Sequence, residues 1–213
     1  NAGKIRFESE QPRRQLDAAA RLKLGSYDRI VLDLPGNPLG FQRDELMFEK
    51  ADGVRTAALR ANIAGSSLVA VDVGGKFGRE LAASGEQAMT EFAIEWLTGL
   101  FGADIRKAVK RTAVTQWNAD PWTLGAISVA SPGAQFMRRQ LAEQMRDRLF
   151  FAGEATHETM WGTVAGAWDS GERAAEAVLR RLGVLREPEE LRQQLPSYEL
   201  VTAIPELQRW RDA

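Results

Sequence analysis

The sequence predicts a mixed α+β fold in which a sheet is covered by helices. Three observations point there. Arg29-Ile-Val-Leu-Asp-Leu34 and Ser67–Val73 are β-branched, strand-like runs. Helix-period segments alternate with these runs, the longest over Thr163–Leu182. The run Arg148-Leu-Phe-Phe-Ala152, apolar from Leu149 on, has the character of a buried strand.

Taken in order, Ile5–Phe7 is short and alternating, and Leu16–Leu24 has helical spacing closed by Gly25-Ser26. Arg29–Leu34 follows as a strand, and Pro35-Gly-Asn-Pro-Leu-Gly40 is a turn or loop. Val54–Asn62 and Ser67–Val73 flank a short Gly-Ser linker and are expected to pair as an antiparallel hairpin. Ser84 with Gln87 has the capping-box pattern for a helix whose apolar face is Met89, Phe92, Ala93, Trp96 and Leu97. Ile105–Thr115 is expected to be a helical turn followed by a strand, 117–132 to be rich in loop, and Phe136–Gln144 to be a short helix. The Thr163–Leu182 helix would bury Val164, Ala167, Trp168, Gly171, Ala175, Val178, Leu179 and Leu182, with Gly183 as its C-terminal glycine. The tail beyond it carries Pro188, Pro196 and Pro205 and is expected to be an extended strap.

Composition narrows the function. The 213 residues carry 28 Lys+Arg against 29 Asp+Glu, so no basic excess points to nucleic acid. The absence of Cys excludes thiolate chemistry, and a single histidine excludes a multi-histidine metal site on one chain. No apolar window of about 18 residues occurs, so no membrane span and a soluble chain are expected, cytoplasmic or periplasmic. The first residues lack Met and run straight into strand-like sequence, as in a trimmed chain or a processed product.

Several segments could carry chemistry. Val71-Asp-Val-Gly74-Gly75-Lys-Phe-Gly78 lies between a strand and a helix, but Val73 occupies the first glycine position of a dinucleotide fingerprint, so it reads as an ordinary glycine-bearing loop. Gly153-Glu154 closes the apolar run at 149–152. A carboxylate at a strand end is placed to accept hydroxyls of a ribose or ribityl chain. Gly162-Thr163 then opens the long helix, whose N–H groups suit an anion or an electron-rich ring oxygen. The same pattern also fits a plain strand–helix unit. Trp117 and Trp122 are either core packing or an aromatic wall against a flat ligand. His157 reads as an exposed or capping loop residue, and Arg138-Arg139 and Arg180-Arg181 as solvated helix faces.

Leu149-Phe-Phe-Ala-Gly-Glu154-Ala-Thr156, followed by Thr163-Val-x-Gly-Ala-x-x-Ser-Gly-Glu-Arg-Ala-Ala, resembles the C-terminal flavin motif of the FAD-dependent amine oxidases. That family includes monoamine, polyamine and L-amino-acid oxidases and lysine-specific histone demethylases. Trp117-x-x-Asp-Pro-Trp122-x-x-Gly125-x-x-Ser128 is similar to the segment just before that motif, and Lys4–Phe7 and Leu24–Tyr27 to the start of the family's substrate lobe. The resemblance covers roughly residues 3–183.

The resemblance implies that residues 1–18 return from a FAD lobe, 19–120 form a substrate-binding lobe, 121–182 close the FAD lobe and 183–213 are a tail. The Gly-x-Gly-x-x-Gly half would lie in a missing N-terminal partner. Cofactor contacts would come from Gly153, Glu154, Gly162, Thr163, Val164, Trp117 and Trp122. Arg29 stands where the family has a lysine near the flavin; with Trp117 and Thr163 it is a candidate catalytic residue. Ile127 and Thr163 stand at the usual aromatic-cage positions, which Trp161 could partly replace. The implied reaction is hydride removal from a carbon next to an amine or amino-acid nitrogen, giving an imine and, with oxygen, peroxide. A cysteinyl flavin link is excluded by the lack of Cys. A non-catalytic assembly module that self-associates and a related flavin desaturase are the alternatives.

Overall fold

The computed structural model describes residues 7, 12–50, 53–145 and 148–184. The strand expected at Ile5–Phe7 and the tail strap therefore lie, apart from Phe7, Gly183 and Val184, outside the described residues. Two compact units are present, one of residues 21–134 and the other of 1–20 with 135–213. The fold is mixed helix and sheet, with antiparallel sheets.

The larger unit is built on β2, Tyr27–Asp33. It lies between β5 (Leu68–Gly74) and β6 (Arg111–Val114) in a five-stranded sheet whose edge continues through β4 (Ala58–Arg60) and β3 (Leu46–Phe48). Every neighbouring pair is antiparallel, including the expected hairpin of β4 and β5. Strand alternation turns Ile30, Leu32, Val69, Val71, Val73 and Leu59 into one core. Met89, Phe92, Ala93 and Leu97 of α3 (Glu86–Phe101) cover it, with Ile105 of α4 (Asp104–Ala108) at its end. The helical turn and strand expected over 105–115 are thus present.

Other boundaries shift for physical reasons. The helix expected over 16–24 is α1, Arg13–Arg21, and Leu22–Leu24 instead forms β1, paired with β7 (Ser128–Ala130) inside the stretch expected to be loop. Ser84 does not cap α3. Helix α2 occupies Gly75–Ala83, so Ser84 closes that helix, its hydroxyl donating to the Glu80 carbonyl at 3.1 Å, and Gly85 opens α3.

The smaller unit contains α1, α5 (Met137–Ala142) and α6 (Val164–Arg181). The apolar run 148–152 is not a strand of a sheet. Among the described residues its one ladder contact is the isolated bridge Met145↔Leu149, and Phe150 and Phe151 are half-buried. The residues buried on α6 are Gly166 and Ser170, not the expected apolar stripe. Val164 is 87% and Trp168 71% exposed, and Leu182 is also exposed. Among the described residues, no helix is long and apolar enough to cross a membrane.

Leu97 is fully buried, whereas Leu100, one turn on, is exposed. Leu97→Ala is expected to lower unfolding free energy by about 2–5 kcal/mol, and Leu100→Ala to change it by no more than about 0.5 kcal/mol. Urea unfolding of the two variants checks this.

Candidate functional site

Two clusters hold the residues singled out from the sequence, one in each unit. The first grows from β2. Tyr27 and Arg29 project to the face of the sheet opposite the core, where the register sets Arg29 beside Asp72. The guanidinium binds the carboxylate through both edges, Nε to Oδ1 at 2.6 Å and Nη2 to Oδ2 at 2.8 Å. The Tyr27 hydroxyl donates to the same Oδ2 at 2.6 Å. Hydrogen bonding to Asp72 holds the Arg29 guanidinium above its ordinary pKa. Burial, then the Asp72 carboxylate, pushes the Tyr27 phenol up. Arg29 is therefore a fixed cation with a committed partner, and Asp72 is a residue the sequence reading missed. The one signal for it was its position in a strand otherwise made of apolar residues.

Asp28 points the other way and is completely buried. Its Oδ1 accepts from the Thr115 hydroxyl at 3.1 Å and the Trp117 N–H at 3.0 Å. Thr115 also accepts from the Arg29 N–H through its hydroxyl at 2.9 Å. The start of the tryptophan loop is thus tied to the strand that carries Arg29. Inside that loop, Asp120 Oδ1 accepts from the N–H groups of Trp122 and Thr123, both at 2.8 Å. Trp122 is 89% exposed and Trp117 is exposed as well, so this pair does not pack a core within the described residues.

The second cluster is the 153–163 loop and the start of α6. Thr163 is the N-cap: its hydroxyl accepts from Gly166 N–H at 3.0 Å and donates to the Met160 carbonyl at 2.7 Å. The N–H groups of Val164 and Ala165 precede the first intrahelical bond and face out of the helix end. Around them the surface is apolar, with Met160, Trp161 and Val164 exposed. Gly162 has a positive φ of 71° and donates its N–H to Glu154 Oε2 at 2.7 Å. Glu154 thus closes its own loop. Gly153 donates its N–H to Ser170 Oγ on α6 at 2.8 Å.

Beneath this loop lies Arg138, which is fully buried and not part of a solvated helix face. Its Nη1 donates to the Ala155 carbonyl at 3.2 Å, and its guanidinium stacks on the Trp161 ring at 4.7 Å. Burial lowers its pKa, and the Glu154 carboxylate opposes that shift. Sequence spacing cannot separate Arg138 from its neighbour Arg139, because only the packing of α5 decides which of them turns inward. Free helix N–H groups framed by apolar side chains suit a flat ring bearing an electron-rich carbonyl oxygen, and the loop carboxylate suits hydroxyl groups beside it. The donor set therefore fits a flavin. Among the described residues, no group of acidic or histidine side chains could hold a metal ion.

The loop depends on one close approach. A Cβ on Gly166 would collide with the Met160 carbonyl, whereas one on Gly171 of the same helix would meet nothing within 4 Å. Gly166→Ala is expected to lower stability by about 1–3 kcal/mol, and Gly171→Ala to raise it by up to about 1 kcal/mol. Thermal unfolding of the two variants reads both signs.

The matching family model is described as flavin containing amine oxidoreductase and covers residues 1–179. Lysine-specific histone demethylase 1 homolog 2 of Arabidopsis thaliana is 30% identical over 193 residues, spanning 85% of this chain and 26% of that protein. Polyamine oxidase 2 of the same plant is 27% identical over 194 residues, spanning 86% of this chain and 38% of that protein. The chain thus spans about a quarter of the histone-demethylase relative and somewhat over a third of the polyamine oxidase. The solved cyclohexylamine oxidase from Brevibacterium oxydans IH-35A shares the fold at a TM-score of 0.64 and 20% identity, over 85% of this chain and 41% of that one. The chain belongs to the flavin containing amine oxidoreductases, and the cofactor of that family is FAD.

Proposed function

We propose that this chain supplies the substrate lobe and the ring-side flavin contacts of a FAD-dependent amine oxidase. The observation that carries the reading is the start of α6. Two outward-facing N–H groups are ringed there by Val164, Met160 and Trp161, on a loop closed by Glu154. Glu154, Gly162, Thr163 and Val164 would hold the ring end and the hydroxyls beside it, and Gly153 would shape the turn. When bound, FAD supplies the two-electron oxidation of a carbon–nitrogen bond to an imine, with oxygen taking the electrons as peroxide. The helix N-terminus would favour negative charge on a carbonyl oxygen placed before it. Arg29, held by Asp72, would present a cation that does not change charge over the working pH range. Trp117 and Trp122 would offer aromatic surface to ring or substrate, a small amine or amino acid. Residues 19–120 are proposed as the substrate lobe and 121–182 as the closing part of the flavin lobe. The adenosine-pyrophosphate end would be held by chain beyond these 213 residues.

The test is visible absorption of retained flavin after gel filtration, on the complete protein. Glu154→Ala is expected to lower retained FAD by about tenfold or more, the loss of hydrogen bonds to a charged group. Unchanged flavin content would overturn the assignment of Glu154.

The exposed stripe on α6 favours a companion reading. Val164, Trp168, Leu179 and Leu182 form an apolar face too large to leave in water, so further chain would cover it in the complete protein. The 213-residue chain alone is then expected to self-associate, and Trp168→Glu to reduce that association, as measured by sedimentation velocity. A monodisperse monomer of the unaltered chain would overturn this.

A further inference from the structure

The sequence contains one histidine, His157, and it lies inside the loop that leads to α6. Its side chain is 13% exposed, and both ring nitrogens are engaged. Nδ1 accepts from the Met160 N–H at 2.9 Å and the Thr159 N–H at 3.3 Å. Nε2 stands 3.1 Å from Asp169 Oδ2, in the second turn of α6. A backbone N–H can only donate, so Nδ1 must present its lone pair. The neutral ring then carries its one hydrogen on Nε2, the nitrogen that faces the Asp169 carboxylate. The partners alone therefore select one neutral tautomer.

What the ring holds matters for the helix start. The Met160 carbonyl accepts from the Thr163 hydroxyl at 2.7 Å and lies against the bare Cα of Gly166. An imidazole joined to Met160 on one side and to Asp169 on the other pins this crossing to the helix. We propose that His157 is a positioning residue for the Thr163–Val164 helix start, working as the Nε2–H imidazole that clamps the Met160 segment to α6. Its relevance to flavin retention rests on the function proposed above; the clamp itself is read without flavin.

Arg173 donates to Thr156 Oγ1 at 2.9 Å and Arg138 to the Ala155 carbonyl at 3.2 Å, so α6 and α5 also tie the part of the loop before His157.

The experiment is nitrogen NMR of the chain with 15N-labelled histidine, joined to amide exchange at Met160. The His157 signal is assigned by its loss in His157→Gln. Near neutral pH the expected spectrum has a protonated, pyrrole-like Nε2 and a pyridine-like Nδ1, and this needs no variant to fold. His157→Asn sets an oxygen where Nδ1 stands and is expected to keep Met160 protection. His157→Gln is expected to lose about tenfold, the worth of one hydrogen bond.

A protonated Nδ1, a rapid mixture of tautomers, or equal Met160 protection in the two variants would each overturn the proposal. A correct tautomer and clamp, in a complete protein that retains no flavin, would overturn the flavin reading and leave the clamp standing.

Discussion

Strand β2 cannot slip by one residue without exchanging its two faces. In its native register, Asp28, Ile30 and Leu32 go inward and Tyr27, Arg29 and Val31 outward. The inward set builds the core beneath α3 and gives the Trp117 N–H its acceptor in Asp28. The outward set brings Arg29 against Asp72. A core, a loop anchor and a fixed cation therefore share one constraint, and β5 and β6 enforce it from both sides. A slip would bury the guanidinium without its carboxylate, at a cost of several kcal/mol.

The 153–163 loop is held differently. It has no sheet partner among the described residues; Thr156 and His157 donate to backbone carbonyls of the loop itself, and four other N–H groups go to side chains. Ser170 receives the Gly153 N–H, Glu154 the Gly162 N–H, His157 the Met160 N–H and Thr163 the Gly166 N–H. Arg138 and Arg173 donate into the loop from α5 and α6. A network of this kind favours one loop shape, because each bond ties the loop either to itself or to α6. It also explains why α6 buries Gly166 and Ser170: small residues let the loop lie close enough for these bonds to form.

Much of the larger unit was legible in the sequence. The β4–β5 hairpin, the 105–115 turn and strand, and the core face of α3 follow from local patterns of period two and 3.6, which survive any packing that buries them. The flavin motif was legible as a string of residues. Three readings failed where neighbours compete for a residue. Ser84 was claimed by α2 before α3 could use it. Leu22–Leu24 paired with β7 and left α1. The apolar run 148–152 met only a single bridge.

The sequence by itself determined the alternation of β2, the length of α6, the absence of thiolate chemistry and the family string from Leu149 to Ala175. Tertiary structure decided which of two adjacent arginines is buried, which His157 nitrogen accepts, that Asp72 is the partner of Arg29, and that α6 buries Gly166 and Ser170 against its loop. The physical reason is the range of the interactions. Propensity and periodicity act over a few neighbouring residues and can be read along the chain. A hydrogen bond from Arg29 to Asp72 joins positions 43 residues apart, and only the folded register brings them within 3 Å of each other.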